Sequence, residues 1–423
     1  MTSNPLRQRI VDVIRREGPI PFSRYMSMCL YEPELGYYAR PREQFGKAGD
    51  FYTSSDVHAL FGRLLCRQFV EFWQALGAPS PIDLIELGPG RGLFARDVLD
   101  WAAKKHPEFL RALRYRLVES SPWLRQRQQE RLAEFIAAGQ VSIDSDFSPA
   151  LARSTPQRAK ERVVGTPGGE ALIVFGNEFF DALPVEVLTA AGELRVAEKN
   201  GALIEQTIGP SPRVLEYVDR YGVHPPTGGR VEVSLAGVEW MRRIIEGFNG
   251  SRGPRQGPGS PASPPLACWD GRGSACWGDS RRGFAVFIDY GYTRPEQLAG
   301  RHLDTLMTYR QHRASGNPYE APGEQDITAH VNFTALRAAA AEGGLDCLAL
   351  LTQAQFLMGV GEPSQFAEAF EDCRLPQEQA KVALQLKHLV TPAGIGEIFQ
   401  VLVLSHGVDA EKTRALSGLK FAR

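Results

Sequence analysis

The chain has 423 residues, enough for two or three domains or one large fold with insertions, and 43% hydrophobic with 23% charged residues suits a soluble protein with a full core. Basic residues number 48 and acidic ones 49, a net charge of −1, so no whole-protein field draws nucleic acid or an anionic membrane surface. Six scattered cysteines, with no CxxC pair and no zinc-ligand spacing beside a histidine, argue against a disulfide framework or a metal site and fit a reducing cytoplasm.

The N-terminal run MTSNPLRQRIVDVIRREG lacks the apolar core of a signal peptide. Ile10, Val11, Val13 and Ile14 follow a helical spacing, and Asp12 and Glu17 break the acid-poor character of a transit peptide, so it reads as the first structural helix. Residues 1–80 are expected to form a helical cover that carries two unusual clusters, LGYYAR at 35–40 and GKAGDFYT at 46–53. From 81 to 423, short apolar runs alternate with helical patterns, as in a parallel sheet with crossover helices. The predicted strands are 82–87, 115–119, 141–143, 171–175 and 285–289, and a late pair, 345–351 and 398–404, supplies an antiparallel end. The longest apolar runs are strand length, far short of a membrane span. Within this region, 188–240 is expected to be an insertion on the substrate side, β-rich over 188–233. Residues 249–283 hold GSRGPRQGPGSPASPP, too rich in Gly, Pro and Ser to pack a core, and are expected to be a disordered surface loop.

The most informative stretch runs Glu86-Leu-Gly88-Pro89-Gly90-Arg-Gly92-Leu93, an apolar strand, a glycine turn and then a helical run. Glycines let the backbone turn sharply and approach a ligand closely, and the following helix presents free N–H groups to it. A dinucleotide fingerprint starting at Gly88 requires a glycine where Leu93 stands, and a Walker loop requires a GK[ST] that does not follow. ExGxGxG resembles instead motif I of class I methyltransferases, in which the turn holds the amino-acid part of S-adenosylmethionine. The second strand is expected to end in an acid for the ribose hydroxyls, and Glu119 with Ser120 stands there.

With these pieces placed, the chain resembles the MidA family, through LYEPELGYYAR near 30–40, GDFYTS at 49–54, ELGPGRG at 86–92, GNEFFDALPVEV at 176–187, FIDYGY at 287–292 and PGEQDITAHVNFTAL at 322–336. GDFYTSSDVH departs from the family's usual pattern after its first residues. The resemblance implies an α/β fold: a Rossmann-like class I methyltransferase sheet with an N-terminal helical cover, Asp50 lying over the cofactor pocket. It also implies S-adenosyl-L-methionine as cofactor and a protein substrate, since the family includes a mitochondrial complex I assembly factor that methylates protein arginine. A respiratory-complex subunit is the partner this suggests.

The fourth strand runs into Gly176-Asn177-Glu178-Phe-Phe-Asp181-Ala-Leu-Pro184-Val-Glu186, at the sheet edge where ligands of open α/β sheets sit. Asn177 is expected beside the cofactor. Glu178 is the first candidate to grip a cationic guanidinium, Asp181 the second and Glu186 a longer shot; equally, Asn177 and Asp181 can cap a following helix. His330 is a candidate proton relay or a structural histidine, and Asp289 and Tyr290 line the pocket or close it. The expected function is therefore methyl transfer to a protein side chain, arginine foremost, in the cytoplasm. The alternatives are an S-adenosylmethionine-binding assembly factor without turnover and a small-molecule methyltransferase. A nucleic-acid substrate is disfavoured by the neutral charge and the lack of an NPPY-type clamp, and oligomeric state is left open.

Overall fold

Seven strands share one sheet, and its central parallel strands are buried on both faces by helices. The computed structural model describes residues 4–40, 59–148, 171–249, 280–310 and 313–422. The strands are β1 (Ile82–Leu87), β2 (Leu113–Val118), β3 (Val141–Asp144), β4 (Ala171–Asn177), β5 (Arg282–Tyr292), β6 (Asp346–Thr352) and β7 (Phe399–His406), in the order 3-2-1-4-5-7-6. The first five run parallel, and β7 lies antiparallel between β5 and β6, as expected of the late apolar pair. A two-residue strand, Val331–Asn332, pairs with the end of β5.

All six residues of β1 are buried. Alternation sends Ile82 and Leu84 of β1, with Ile173 and Phe175 of β4, to one face, against the helices Ala59–Ala75 and Leu93–Lys105. There Phe94 stacks on Phe175 with ring centroids 4.5 Å apart. Ile85, Leu87, Leu172 and Val174 face the other layer, formed by the helices Leu235–Asn249 and Phe333–Glu342. This double burial is why β1 and β4 read as continuous apolar runs rather than alternating ones. Each fully buried large side chain contributes roughly 1.5–3 kcal/mol of transfer free energy.

A third core joins the start of the chain to its middle. Asn4 caps the helix Pro5–Glu17 by accepting from the Arg7 amide at 2.9 Å. Leu6, Ile10 and Ile14 of that helix, with Tyr25, Met26 and Leu30 of the helix Phe22–Tyr31, pack on Val187, Leu194 and Val196. Those last three belong to a five-stranded sheet of Ile20–Pro21, Glu186–Thr189, Gly192–Lys199, Ala202–Ile208 and Arg230–Val233. The helix Ala59–Ala75 sits in the first core instead.

No helix follows β4: residues 178–185 form a turn that leads into Glu186–Thr189, so the helix-capping reading of Asn177 and Asp181 does not apply. Asp50 and most of the Gly/Pro-rich loop, residues 250–279, lie outside the described residues. The ends of that excursion are adjacent, since the Arg281 amide donates to the Phe248 carbonyl at 2.7 Å. Among the described residues, no helix is long and apolar enough to cross a membrane.

Candidate active site

The strand order reverses between β1 and β4, which opens a crevice at the carboxyl edge of the sheet. The turn after β1 is built for close approach. Gly88, Gly90 and Gly92 have φ of 65°, 52° and 70°, backbone that L side chains rarely adopt. A Cβ on Gly88 would stand 3.1 Å from the Phe179 ring. Gly92 precedes the helix Leu93–Lys105 and faces Gln128, whose side-chain amide donates to the Gly90 carbonyl at 2.7 Å. That bond ties the loop to the helix Pro122–Arg131.

Two carboxyls stand at the ends of β1 and β2. Glu86 accepts from the Tyr115 hydroxyl at 2.8 Å, and burial pushes it up to about 8 in spite of that bond. Glu119, one residue past β2, accepts from the Ser121 amide at 2.9 Å. Burial pushes it up to about 7, against the lowering effect of the Ser121 and Gly90 amides. Both are therefore desolvated carboxyls that a cationic group or hydroxyl donors would stabilise.

The turn after β4 is held from β5. Glu178 takes φ 51°, a left-handed conformation uncommon outside glycine. Its amide donates to the Ile288 carbonyl at 2.8 Å, and the Asn177 side-chain amide donates to its Oε1 at 3.0 Å. Asp289 accepts the amides of Phe180 and Asp181. Burial raises Asp181 and Asp289 above the usual carboxylate range, and the Asp181 charge raises Asp289 further. The Asp181 carboxylate is hydrogen-bonded to Tyr290. Its Oδ1 and that of Asn177 are buried with no hydrogen-bond partner among the described residues.

One cavity of about 680 Å³ collects these groups. Glu86, Gly88, Pro89, Gly90, Glu119, Ser120, Asn177, Glu178, Asp181 and His330 all line it; Gly92 shapes the turn just behind. Neighbouring strands lie about 4.8 Å apart, so from Glu119 just past β2 to Tyr290 on β5 the edge spans roughly 14 Å. Six acids, Glu86, Glu119, Asp146, Glu178, Asp181 and Asp326, face Arg91 as the sole arginine or lysine among the described lining residues.

Several lining residues escape sequence reasoning. Tyr31, Tyr38 and Tyr309 line the cavity together with the expected Tyr290, and the Tyr38 hydroxyl donates to Asp326 at 2.9 Å. LGYYAR was visible as an unusual run and DITAH as part of a family motif, but their meeting was not. Ser145 and Asp146, just past β3, also line the cavity.

Residues 64–351 match the model of a family of S-adenosyl-L-methionine-dependent methyltransferases. The chain belongs to this family. The resemblance drawn from its motifs is borne out. Among curated relatives, the mitochondrial protein arginine methyltransferase NDUFAF7 homolog of Drosophila melanogaster is 29% identical over 412 residues, covering 93% of this chain and 83% of its own. Its Danio rerio counterpart is 29% identical over 391 residues, covering 90% and 82%. A Burkholderia thailandensis protein crystallised with S-adenosyl-homocysteine superposes with a TM-score of 0.72 at 28% identity, covering 98% of this chain and 94% of that one. The methyltransferase fold is thus shared along nearly the whole chain. The glycine turn, the desolvated carboxyls of β1 and β2 and the unpartnered Asn177 and Asp181 oxygens suit a cofactor with two cationic centres and ribose hydroxyls.

Proposed function

We propose that this methyltransferase methylates an arginine side chain of a protein partner. The observation that carries the reading is the cavity lining: Glu178 and Asp181, with Asp146 and Asp326, stand beside four tyrosines and Arg91, while burial raises Glu86 and Glu119 to about 8 and about 7. Such a lining favours a planar cation, through bidentate bonds to carboxylate and cation–π contact with the rings. The named activity of the Drosophila and zebrafish relatives supports the same substrate, and their mitochondrial setting makes a respiratory-complex subunit the natural class of partner. The cytoplasmic location expected from the sequence stays within this proposal.

In this reading Glu86, Gly88, Pro89, Gly90 and Gly92 hold the amino-acid end of the cofactor, with Glu119 and Ser120 at the ribose and Asn177 between cofactor and substrate. Asp50 belongs to the same proposal, from its motif alone. The N-terminal helices and the 188–240 insertion act as the substrate-side cover. S-adenosylmethionine supplies, when bound, a methyl group on a sulfonium, an electrophile that needs no further activation.

The protein's own work is orientation and charge. A guanidinium must approach a second cation, and Glu178 with Asp181 offsets that repulsion while fixing the reacting nitrogen in line. Removing the proton beforehand is unfavourable: even Asp181, which burial raises to about 6, lies ~6 units below an arginine above ~12, or ~8 kcal/mol. The proton leaves as the new bond forms, and His330 is placed in the proposal to receive it.

Incubating the purified protein with methyl-labelled S-adenosylmethionine and host lysate tests this. Label in a protein band supports the proposal. Cofactor binding with no label in any fraction would favour an assembly factor without turnover, and label confined to small molecules would favour the third reading.

A further inference from the structure

His330 lines the cavity, and behind it stands His302, which does not. Their Nδ1 atoms are 3.1 Å apart. At that distance one ring nitrogen must donate and the other accept, so the two imidazoles share a proton. Both rings are held firmly. Tyr292 stacks on His302 with centroids 5.6 Å apart and planes 21° from parallel, and Tyr290 meets His330 edge-on at 5.2 Å. The His330 amide donates to Thr305 Oγ1 at 3.2 Å, and that hydroxyl donates to the buried Glu232 at 2.8 Å. His302 takes φ 53°, a left-handed conformation that a non-glycine residue keeps only where its surroundings impose it. It is half-buried, between exposed Arg301 and half-buried Leu303. The pair therefore bridges the cavity wall and the outer surface.

We infer that His330 and His302 form a proton exit for methyl transfer to nitrogen, one that stays open when a bound substrate fills the cavity mouth. The inference rests on the arginine reading. In that reaction the S–CH3 bond breaks with its electron pair left on sulfur, and the nitrogen's own pair makes the N–CH3 bond. The nitrogen then sheds one proton, so the methylated guanidinium keeps a single positive charge. That proton passes to His330 Nε2, the His330 Nδ1 proton passes to His302 Nδ1, and His302 releases its Nε2 proton to water. After product leaves, water in the cavity and at the surface exchanges the protons back.

Burial, and then His302, pushes His330 down to about 4, so it is a neutral acceptor at physiological pH. The other titratable groups around the pair are Tyr290 and Tyr292 on β5, Glu296 in the helix Arg294–Leu298, Glu232 behind Thr305, and the flanking Arg301 and Asp304.

Two measurements test the exit. Long-range nitrogen–proton NMR of the imidazoles in the ligand-free protein at pH 7 should show His330 as its Nδ1–H tautomer and His302 as its Nε2–H tautomer; the reverse assignment would leave His330 Nε2 unable to accept and overturn the inference. Two Nε2–H tautomers would leave lone pairs facing each other and overturn the inference. In the second, His302→Asn and His302→Gln are compared with wild type for the rate of label transfer into lysate protein across pH, and for S-adenosyl-homocysteine affinity by calorimetry. Transfer should slow tenfold or more in both variants with affinity unchanged, and added imidazole should restore rate in the variants alone. Full rate in either variant, or a loss that imidazole does not restore and that leaves the pH profile unmoved, overturns the exit while sparing the arginine reading. A wild-type enzyme that labels no protein overturns that reading and the exit with it.

Discussion

Asp289 holds the turn that carries Asp181: one carboxylate oxygen at the end of β5 accepts the Asp181 amide at 3.3 Å and the neighbouring Phe180 amide at 2.9 Å. The candidate acids after β4 thus take their position from the next strand rather than from a helix of their own. Asp289→Ala leaves two buried amides without an acceptor, a cost of about 2–4 kcal/mol. Thermal melts should fall by several degrees, and methyl transfer should drop further than cofactor affinity does. Unchanged melting with unchanged transfer would show that the turn holds itself.

The glycine turn makes a sharper prediction. Gly90→Val places a branched side chain on backbone at φ 52°, in a loop pinned by Gln128, where a ligand must come close. Calorimetry should find no S-adenosyl-homocysteine binding in the variant, and no NAD binding in wild type. Wild-type affinity in the variant would move the cofactor away from this turn.

Proton release should accompany cofactor binding. Burial holds Glu86 at about 8 and Glu119 at about 7 in the ligand-free fold, against a reference of 4.5. A carboxyl raised on folding favours the protonated fold, so these two groups withdraw stability as pH rises from 4.5 toward 8. Cationic ammonium and sulfonium groups favour the carboxylates, so binding should expel protons and affinity should climb between about pH 6 and 8. Titrations in phosphate and Tris should give binding enthalpies that differ with buffer ionisation enthalpy. Identical enthalpies would mean that neither carboxyl changes protonation on binding.

The parts of the fold that were readable in the chain are those whose signal is local. Parallel strands buried on both faces appear as apolar runs, and the spacing of Gly88, Gly90 and Gly92 after Glu86 separates one cofactor turn from others. Asp146 could not have been found by the rule that found Glu119, since the acid just past the predicted strand 141–143 is Asp144, which does not line the cavity. Nor could Tyr38 and Asp326, since the bond between them joins positions 288 residues apart. The His302–His330 pair has no local signature either: each is an isolated histidine until the fold sets them face to face. The capping reading of Asn177 failed for a related reason, because whether a helix follows a strand is decided by where the insertion packs.

Glu178 separates binding from chemistry. Glu178→Gln keeps size and much of the hydrogen bonding with Asn177 while removing the charge. Cofactor affinity should barely move, and transfer should fall by about two orders of magnitude, equivalent to ~3 kcal/mol of transition-state stabilisation. Ligand-free melts of the two proteins exclude a folding defect. Loss of the cofactor instead would assign Glu178 to the cofactor end of the cavity, and full turnover would remove it from the chemistry.

The most direct measurement is fragmentation mass spectrometry of the protein labelled by this methyltransferase in lysate, which reads the atom that receives the methyl group. Methylarginine in wild-type samples, absent when Glu178→Gln replaces the enzyme, is the expected result. Label on lysine, a carboxylate or a terminus, with arginine unmodified, would contradict the arginine assignment while leaving the methyltransferase itself intact.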